Sequence, residues 1–158
     1  MQSDKLTLLN KQLKAIITDE SNFIANLSNA SALLFEQLDD INWVGFYLFD
    51  NDHNNLVLGP FQGKVACIRI ENGKGVCGTS FKSGDSLIVS DVHEFPGHIA
   101  CDAASRSEIV VPLIKGDVKI GVLDIDAPVR DRFSESDRLV LEEFCSILLN
   151  SSDTSSYQ

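Results

Sequence analysis

Residues 108–126 read EIVVPLIKGDVKIGVLDID. Two apolar, β-branched runs, Glu108 to Ile114 and Lys119 to Asp126, flank the polar turn Lys115-Gly116-Asp117. Strand formers on both sides of a short glycine-containing turn predict an antiparallel hairpin. Outward from it, Asn42 to Phe49 is rich in aromatic and β-branched residues and is closed by the turn DNDHNN. Asn55 to Phe61, Lys64 to Ile70 and Ser86 to Ser90 read as three further strands, making about six in all. Between the last two of these, the glycine-rich ENGKGVCG precedes a short helix ending near Ser83-Gly84.

Helical spacing marks the two ends. Leu6, Leu9, Leu13 and Ile16 predict an amphipathic helix over 4–17. Phe23, Leu27, Ala30, Leu34 and Leu38 predict a second over 20–38, capped by Asp19. Ser134 is placed to cap a last helix with the stripe Leu139, Leu141, Phe144, Ile147 and Leu148. The expected class is α+β: a mainly antiparallel sheet with N- and C-terminal helices packed on it. Residues 1–150 are expected to form one domain, with the polar 151–158 segment SSDTSSYQ disordered.

The chain's 158 residues are 44% hydrophobic and 23% charged. A chain of this size passes from about 25,000 Å² exposed when unfolded to about 8,000 Å² when folded, enough for a core without disulfide staples. Its 23 acidic and 13 basic residues leave a net charge of −10, which makes nucleic acid and anionic membrane poor partners. Apolar runs such as Ile109 to Ile114 are too short to span a bilayer. Lys11 and Lys14 interrupt the apolar character of the N-terminus, so no secretory leader is expected and the cytosol is the expected compartment.

Four cysteines, Cys67, Cys77, Cys101 and Cys145, are separated by 10, 24 and 44 residues, without a C-x-x-C pair. Zinc-knuckle spacing is absent, and a reducing compartment disfavours structural bridges. Cys101 lies in a long loop, DVHEFPGHIACDAAS, where a helical turn capped by Asp102 or Ser105 would favour a thiolate. Simple burial is the competing reading for Cys101, as it is for Cys67 on its strand and Cys77 at a loop-to-helix junction. Cys145 sits in the last helix's apolar stripe and reads as packing.

Alternation puts Asp124 and Asp126 on one strand face, with Leu123 and Ile125 on the other. Two carboxylates about 7 Å apart on an apolar strand repel unless an ammonium group or a proton lies between them, or the face is wet. Across the hairpin, Glu108 is placed to join them. Trp43 and Tyr47 share a face of an earlier strand with Gly45 between them, leaving a gap suited to a small apolar or thioether group, or forming ordinary core. His53, His93 and His98 show no metal-ligand spacing, and Gly73, Gly75 and Gly78 do not follow a phosphate-binding pattern.

Three stretches, GPFQGKVACIRIENGKGVCG (59–78), GHIACDAASRSEIVVPLI (97–114) and GVLDIDAPVRDRF (121–133), resemble the free methionine-(R)-sulfoxide reductases, enzymes of the GAF fold. The resemblance covers nearly the whole chain. It implies that Cys101 is the catalytic cysteine on which a sulfenic acid forms, that Cys67 resolves it as a disulfide, and that Cys77 is auxiliary. It further implies that Glu108, Asp124 and Asp126 handle the sulfoxide oxygen and the substrate's amino end, and that Trp43 and Tyr47 wall the pocket around its methyl group. Thioredoxin is the implied reductant and free methionine (R)-sulfoxide the substrate, with no metal or organic cofactor. Ala127 departs from the pattern, which has serine after D-I-D. A GAF-type ligand-binding or redox-sensing module without turnover is the alternative function, and a homodimer through the first helix is compatible with its amphipathic pattern.

Overall fold

The computed structural model describes residues 2–97 and 104–157. The helices are α1 (Gln2–Ile16), α2 (Phe23–Gln37), α3 (Gly75–Ser83) and α4 (Glu135–Ser151), and the strands are β1 (Trp43–Asp50), β2 (Asn55–Gly63), β3 (Arg69–Glu71), β4 (Leu87–Val89), β5 (Ser107–Lys115) and β6 (Val118–Ala127). Single 3-10 turns occupy Val92–Glu94 and Ser155–Tyr157.

The strands form one antiparallel sheet in the order β3-β2-β1-β6-β5-β4. The expected hairpin is its centre. Gly116, at φ 63°, turns the chain between β5 and β6, a left-handed conformation that glycine adopts without steric cost. The resulting register sets Glu108 opposite Asp126 and Val110 opposite Asp124, while β6 faces β1 with Trp43 opposite Asp126 and Gly45 opposite Asp124.

Alternation then sorts the side chains into two cores. Val44, Phe46 and Leu48 of β1, Ile109, Val111 and Leu113 of β5, and Leu123 and Ile125 of β6 pack under α1, α2 and α4 against Leu9, Leu13, Leu27, Leu34, Phe144 and Leu148. Burial of each such large side chain contributes about 1.5–3 kcal/mol. On the other face, Trp43, Tyr47, Val110 and Val122 meet Val76, Cys77 and Phe81 of α3. α4 starts with a capping box: Ser134 Oγ accepts from the Asp137 N–H, and Asp137 Oδ2 accepts from the Ser134 N–H. Among the described residues no helix is long and apolar enough to cross a membrane.

Four local expectations are corrected. The cap of α2 is Asn22, whose side chain accepts from the Ala25 N–H at 2.9 Å; Asp19 lies upstream with φ 64° in the connection. Leu139 is 60% exposed, because it lies on the side of α4 away from the buried Leu141, Phe144, Cys145 and Leu148. β3 is only three residues long, so residues 64–68, Cys67 among them, form a loop instead of a strand. Residues 151–157 of the polar C-terminal segment are ordered against α2. Asp153 bridges to Asn22, its N–H donating to Ser21 O at 2.8 Å, and Asn26 Nδ2 donates to Ser152 Oγ at 2.9 Å. Tyr157 packs edge-on against Phe23 at 5.5 Å. Short hydroxyl and carboxylate side chains hold this segment through specific hydrogen bonds, which polar composition does not reveal.

Candidate active site

The sheet face under α3 carries the acidic residues. Glu108 and Asp124 are each 6% exposed and Asp126 is half-buried, which excludes a merely wet face. α3 adds Cys77 from its first turn. The Cys77 sulfur and one carboxylate oxygen each from Glu108 and Asp124 lie within 4.8 Å of one another.

Burial, then the nearby charges of Asp124 and Asp126, push the Glu108 carboxyl well above the usual carboxylate range. Its carboxyl lies within hydrogen-bond reach of both aspartates, to either of which its single acid proton can be donated. Burial also raises the Cys77 thiol, assisted by the charges of Asp124 and Glu108, and that thiol donates to Asp124. Tyr47 is raised by burial first and by Asp124 next, so its hydroxyl remains a donor. The cluster therefore favours the protonated form of Glu108 under an apolar roof, the condition for a general acid. Cys77, Glu108 and Asp124 are the one set of three potential metal-ligand side chains gathered this closely among the described residues. A divalent ion held there would have to displace the protons that burial favours on Cys77 and Glu108.

Trp43 and Tyr47 border the acids with rings stacked at 6.0 Å, and Phe61, which the sequence reading did not single out, stacks on Trp43 at 5.3 Å. Phe61 pairs with Gly45 across β1 and β2. The gap expected at Gly45 is filled: a Cβ there would collide with Phe61 and approach Trp43 Cη2 to 2.8 Å. The missing side chain lets rings close over the strand instead of opening a hole between them. A tight aromatic opposite a strand glycine is the signal that would have pointed to Phe61.

The same aromatic side chains hold the Cys67 loop. Trp43 Nε1 donates to Lys64 O at 3.0 Å, Tyr47 Oη donates to Cys67 O at 2.9 Å, and Leu58 N donates to Ile68 O at 2.9 Å. Ala66 and Cys67 turn inward against the second core. Cys67 is disulfide-bonded, whereas Cys77 and Cys145 are free. Its partner is not among the described residues.

Cys101, His98 and Asp102 lie outside the described residues. The flanks of their segment are anchored near the acids: Val92 N donates to Arg106 O at 2.7 Å, and Arg106 N donates to Ala127 O at 2.8 Å, next to Asp126. Asp91 is ion-paired to Arg130 at 3.2 Å and to Arg106 at 3.6 Å. Ala127 itself is fully buried in the core on the opposite face, so its departure from the family pattern does not touch the site. Cys145 is also in that core. His53 is paired with Asp50 on the surface, and His93 is exposed.

Comparison with known proteins matches residues 25–149 to the GAF domain family. The chain is 51% identical over 150 residues to the free methionine-R-sulfoxide reductase of Escherichia coli (strain K12), covering 95% of this chain and 90% of that protein. It is 48% identical over 133 residues to the Saccharomyces cerevisiae protein of the same name, covering 80% and 74% respectively. The structure of fRMsr of Staphylococcus aureus in complex with substrate superposes with a TM-score of 0.88 at 55% identity, covering 92% of this chain and 94% of that one.

Proposed function

This chain belongs to the GAF domain family and, within it, to the free methionine-R-sulfoxide reductases, and we propose that it reduces free L-methionine (R)-sulfoxide to methionine. The observation that carries this reading is the buried, proton-retaining set Glu108, Asp124 and Cys77, roofed by aromatic rings and adjoined by a disulfide-forming cysteine loop.

Reduction of a sulfoxide requires a nucleophile for sulfur and a proton for oxygen, since the oxygen leaves poorly as an oxide. Cys101 supplies the thiolate and Glu108, within its pair of aspartates, the proton. Oxygen passes from substrate to Cys101, methionine leaves, and a sulfenic acid remains on the enzyme. The Cys67 thiol then attacks that sulfur, releasing water and forming a Cys67–Cys101 disulfide, which thioredoxin reduces by exchange in the reducing cytosol. Cys77 is the auxiliary thiol: held protonated, it fixes Asp124 by donating to it. Trp43, Tyr47 and Phe61 pack around the substrate's methylthio end. Asp124 and Asp126 receive the substrate ammonium, whose charge offsets the repulsion between them; a peptide-bound residue has no such charge.

Cys101→Ser is expected to abolish turnover, while Cys67→Ser releases one equivalent of methionine and stops. Full steady-state activity in Cys101→Ser would overturn the assignment. So would binding of a ligand without any thiol turnover when each pure sulfoxide epimer is supplied with thioredoxin.

A further inference from the structure

Thiol–disulfide exchange is a contact reaction: the incoming thiolate must reach one sulfur of the bridge nearly in line with the bond that breaks. A protein reductant therefore needs a landing surface around that sulfur. Val65, at 89%, and Ile68, at 68%, have the highest exposures recorded for large apolar side chains in the described chain, and they flank Cys67. Their exposure is imposed by the fold. Hydrogen bonds from Trp43, Tyr47 and Leu58 hold the loop backbone at Lys64, Cys67 and Ile68, while Ala66 and Cys67 pack inward. The loop thus presents two fixed apolar side chains beside a redox sulfur, an arrangement that favours a covering partner over solvent.

Charge indicates the partner's character. From Gln62 to Ile70 the sequence QGKVACIRI holds Lys64 and Arg69 and no acid, on a chain of net charge −10. Lys64 is exposed, whereas Arg69 is ion-paired with Asp50 at 3.0 Å and donates to Asn55 Oδ1 at 2.9 Å. Lys64 therefore carries the positive charge at this edge, and on a chain of net charge −10 it favours an acidic partner over a basic one here.

We propose that Val65 and Ile68, with Lys64 beside them, dock a dithiol protein whose active-site face is apolar and acid-edged, and that this partner attacks Cys67. The inference rests on the disulfide-recycling reading above. The reductant's thiolate bonds to the Cys67 sulfur and the Cys67–Cys101 bond breaks, releasing the Cys101 thiolate. The reductant's second thiol then attacks the mixed disulfide, freeing the Cys67 thiolate and leaving the reductant oxidised. Two electrons pass from the dithiol to the enzyme.

The test compares thioredoxin with dithiothreitol as reductant for the double variant Val65→Ser, Ile68→Ser. The expected result is a KM for thioredoxin raised about tenfold, as for loss of a small apolar hot spot, with dithiothreitol-driven turnover unchanged. An unchanged KM for thioredoxin overturns the proposal. Equal loss with both reductants does so as well, because it assigns the pair to loop packing. Lys64→Glu is expected to raise the same KM about threefold at low salt and less at high salt; salt-independence overturns the charge component. Thioredoxin with its second active-site cysteine replaced by serine should accumulate on Cys67, and capture on Cys101 would overturn the assignment of the attacked sulfur. Failure of the underlying reading looks different: wild-type protein would then fail to turn over with dithiothreitol.

Discussion

The two faces of β5 and β6 are made from alternate residues of the same strands, yet they follow opposite rules. Beneath the sheet, Ile109, Val111, Leu123 and Ile125 join α1, α2 and α4 in an apolar core that holds the inert Cys145 thiol. Above it, one position along each strand, Glu108 and Asp124 are almost as deeply buried. Burying an unpaired carboxylate costs several kcal/mol, and here the cost is reduced by retaining and sharing a proton. The lower face gives stability and the upper face spends some of it on reactivity. Because strand side chains alternate with period two, neighbouring residues hold these two duties apart, and a slip of one residue would exchange them.

That contrast is open to attack at single positions. The largest effect is expected from Glu108→Gln. Glutamine's two N–H groups can donate to the aspartates, but it has no acidic proton, so kcat should fall about a thousandfold. Stability should move the other way. Glu108 keeps in the folded state a proton that the unfolded chain releases above its ordinary pKa of 4.5. Its contribution is therefore fully present below that pH and is lost as pH rises toward the raised folded value. The variant lacks this slope, so its thermal midpoint should exceed wild type increasingly as pH rises above 4.5. Parallel profiles would mean that Glu108 is ionised in the native protein.

Ile109→Ala, at the very next residue, should do the reverse. It should lower unfolding free energy by about 3 kcal/mol in denaturant titration and leave kcat of the folded enzyme near wild type. A smaller effect is expected for Tyr47→Phe, which removes only the hydroxyl bond to the Cys67 carbonyl, worth about 1 kcal/mol. Quenched-flow mapping should show disulfide closure slowed about fivefold, more than the first release of methionine. Least of all, Leu139→Ser should stay within about 0.5 kcal/mol of wild type, since that side chain already faces water.

The hairpin, the pairing of Glu108 with the aspartates, and the helical ends are legible in the sequence because each rests on a local period or a glycine in a turn. What fails is what depends on partners distant along the chain. VACIRI looks like a strand by composition, but hydrogen bonds from Trp43 and Tyr47 pull residues 64–68 off the sheet. At Gly45, spacing suggests a hole; Phe61, brought across from β2, fills it. The tail reads as disordered until Asn22 and Asn26 are seen to bind it. Cys77 is seen at a loop-to-helix junction in sequence, but only the packing of α3 onto β6 explains why its thiol meets Asp124.

Cys145 shows what the sheet itself accomplishes. It is sealed below the strands while Cys67 and Cys77 lie above them, and burial holds its thiol far from ionisation. A layer of paired backbone thus acts as an insulator between sulfur atoms. During repeated cycles of oxidation, any shuffling between Cys67 and Cys77 stays on one side of the sheet, so misbridging of either to Cys145 requires the protein to unfold first.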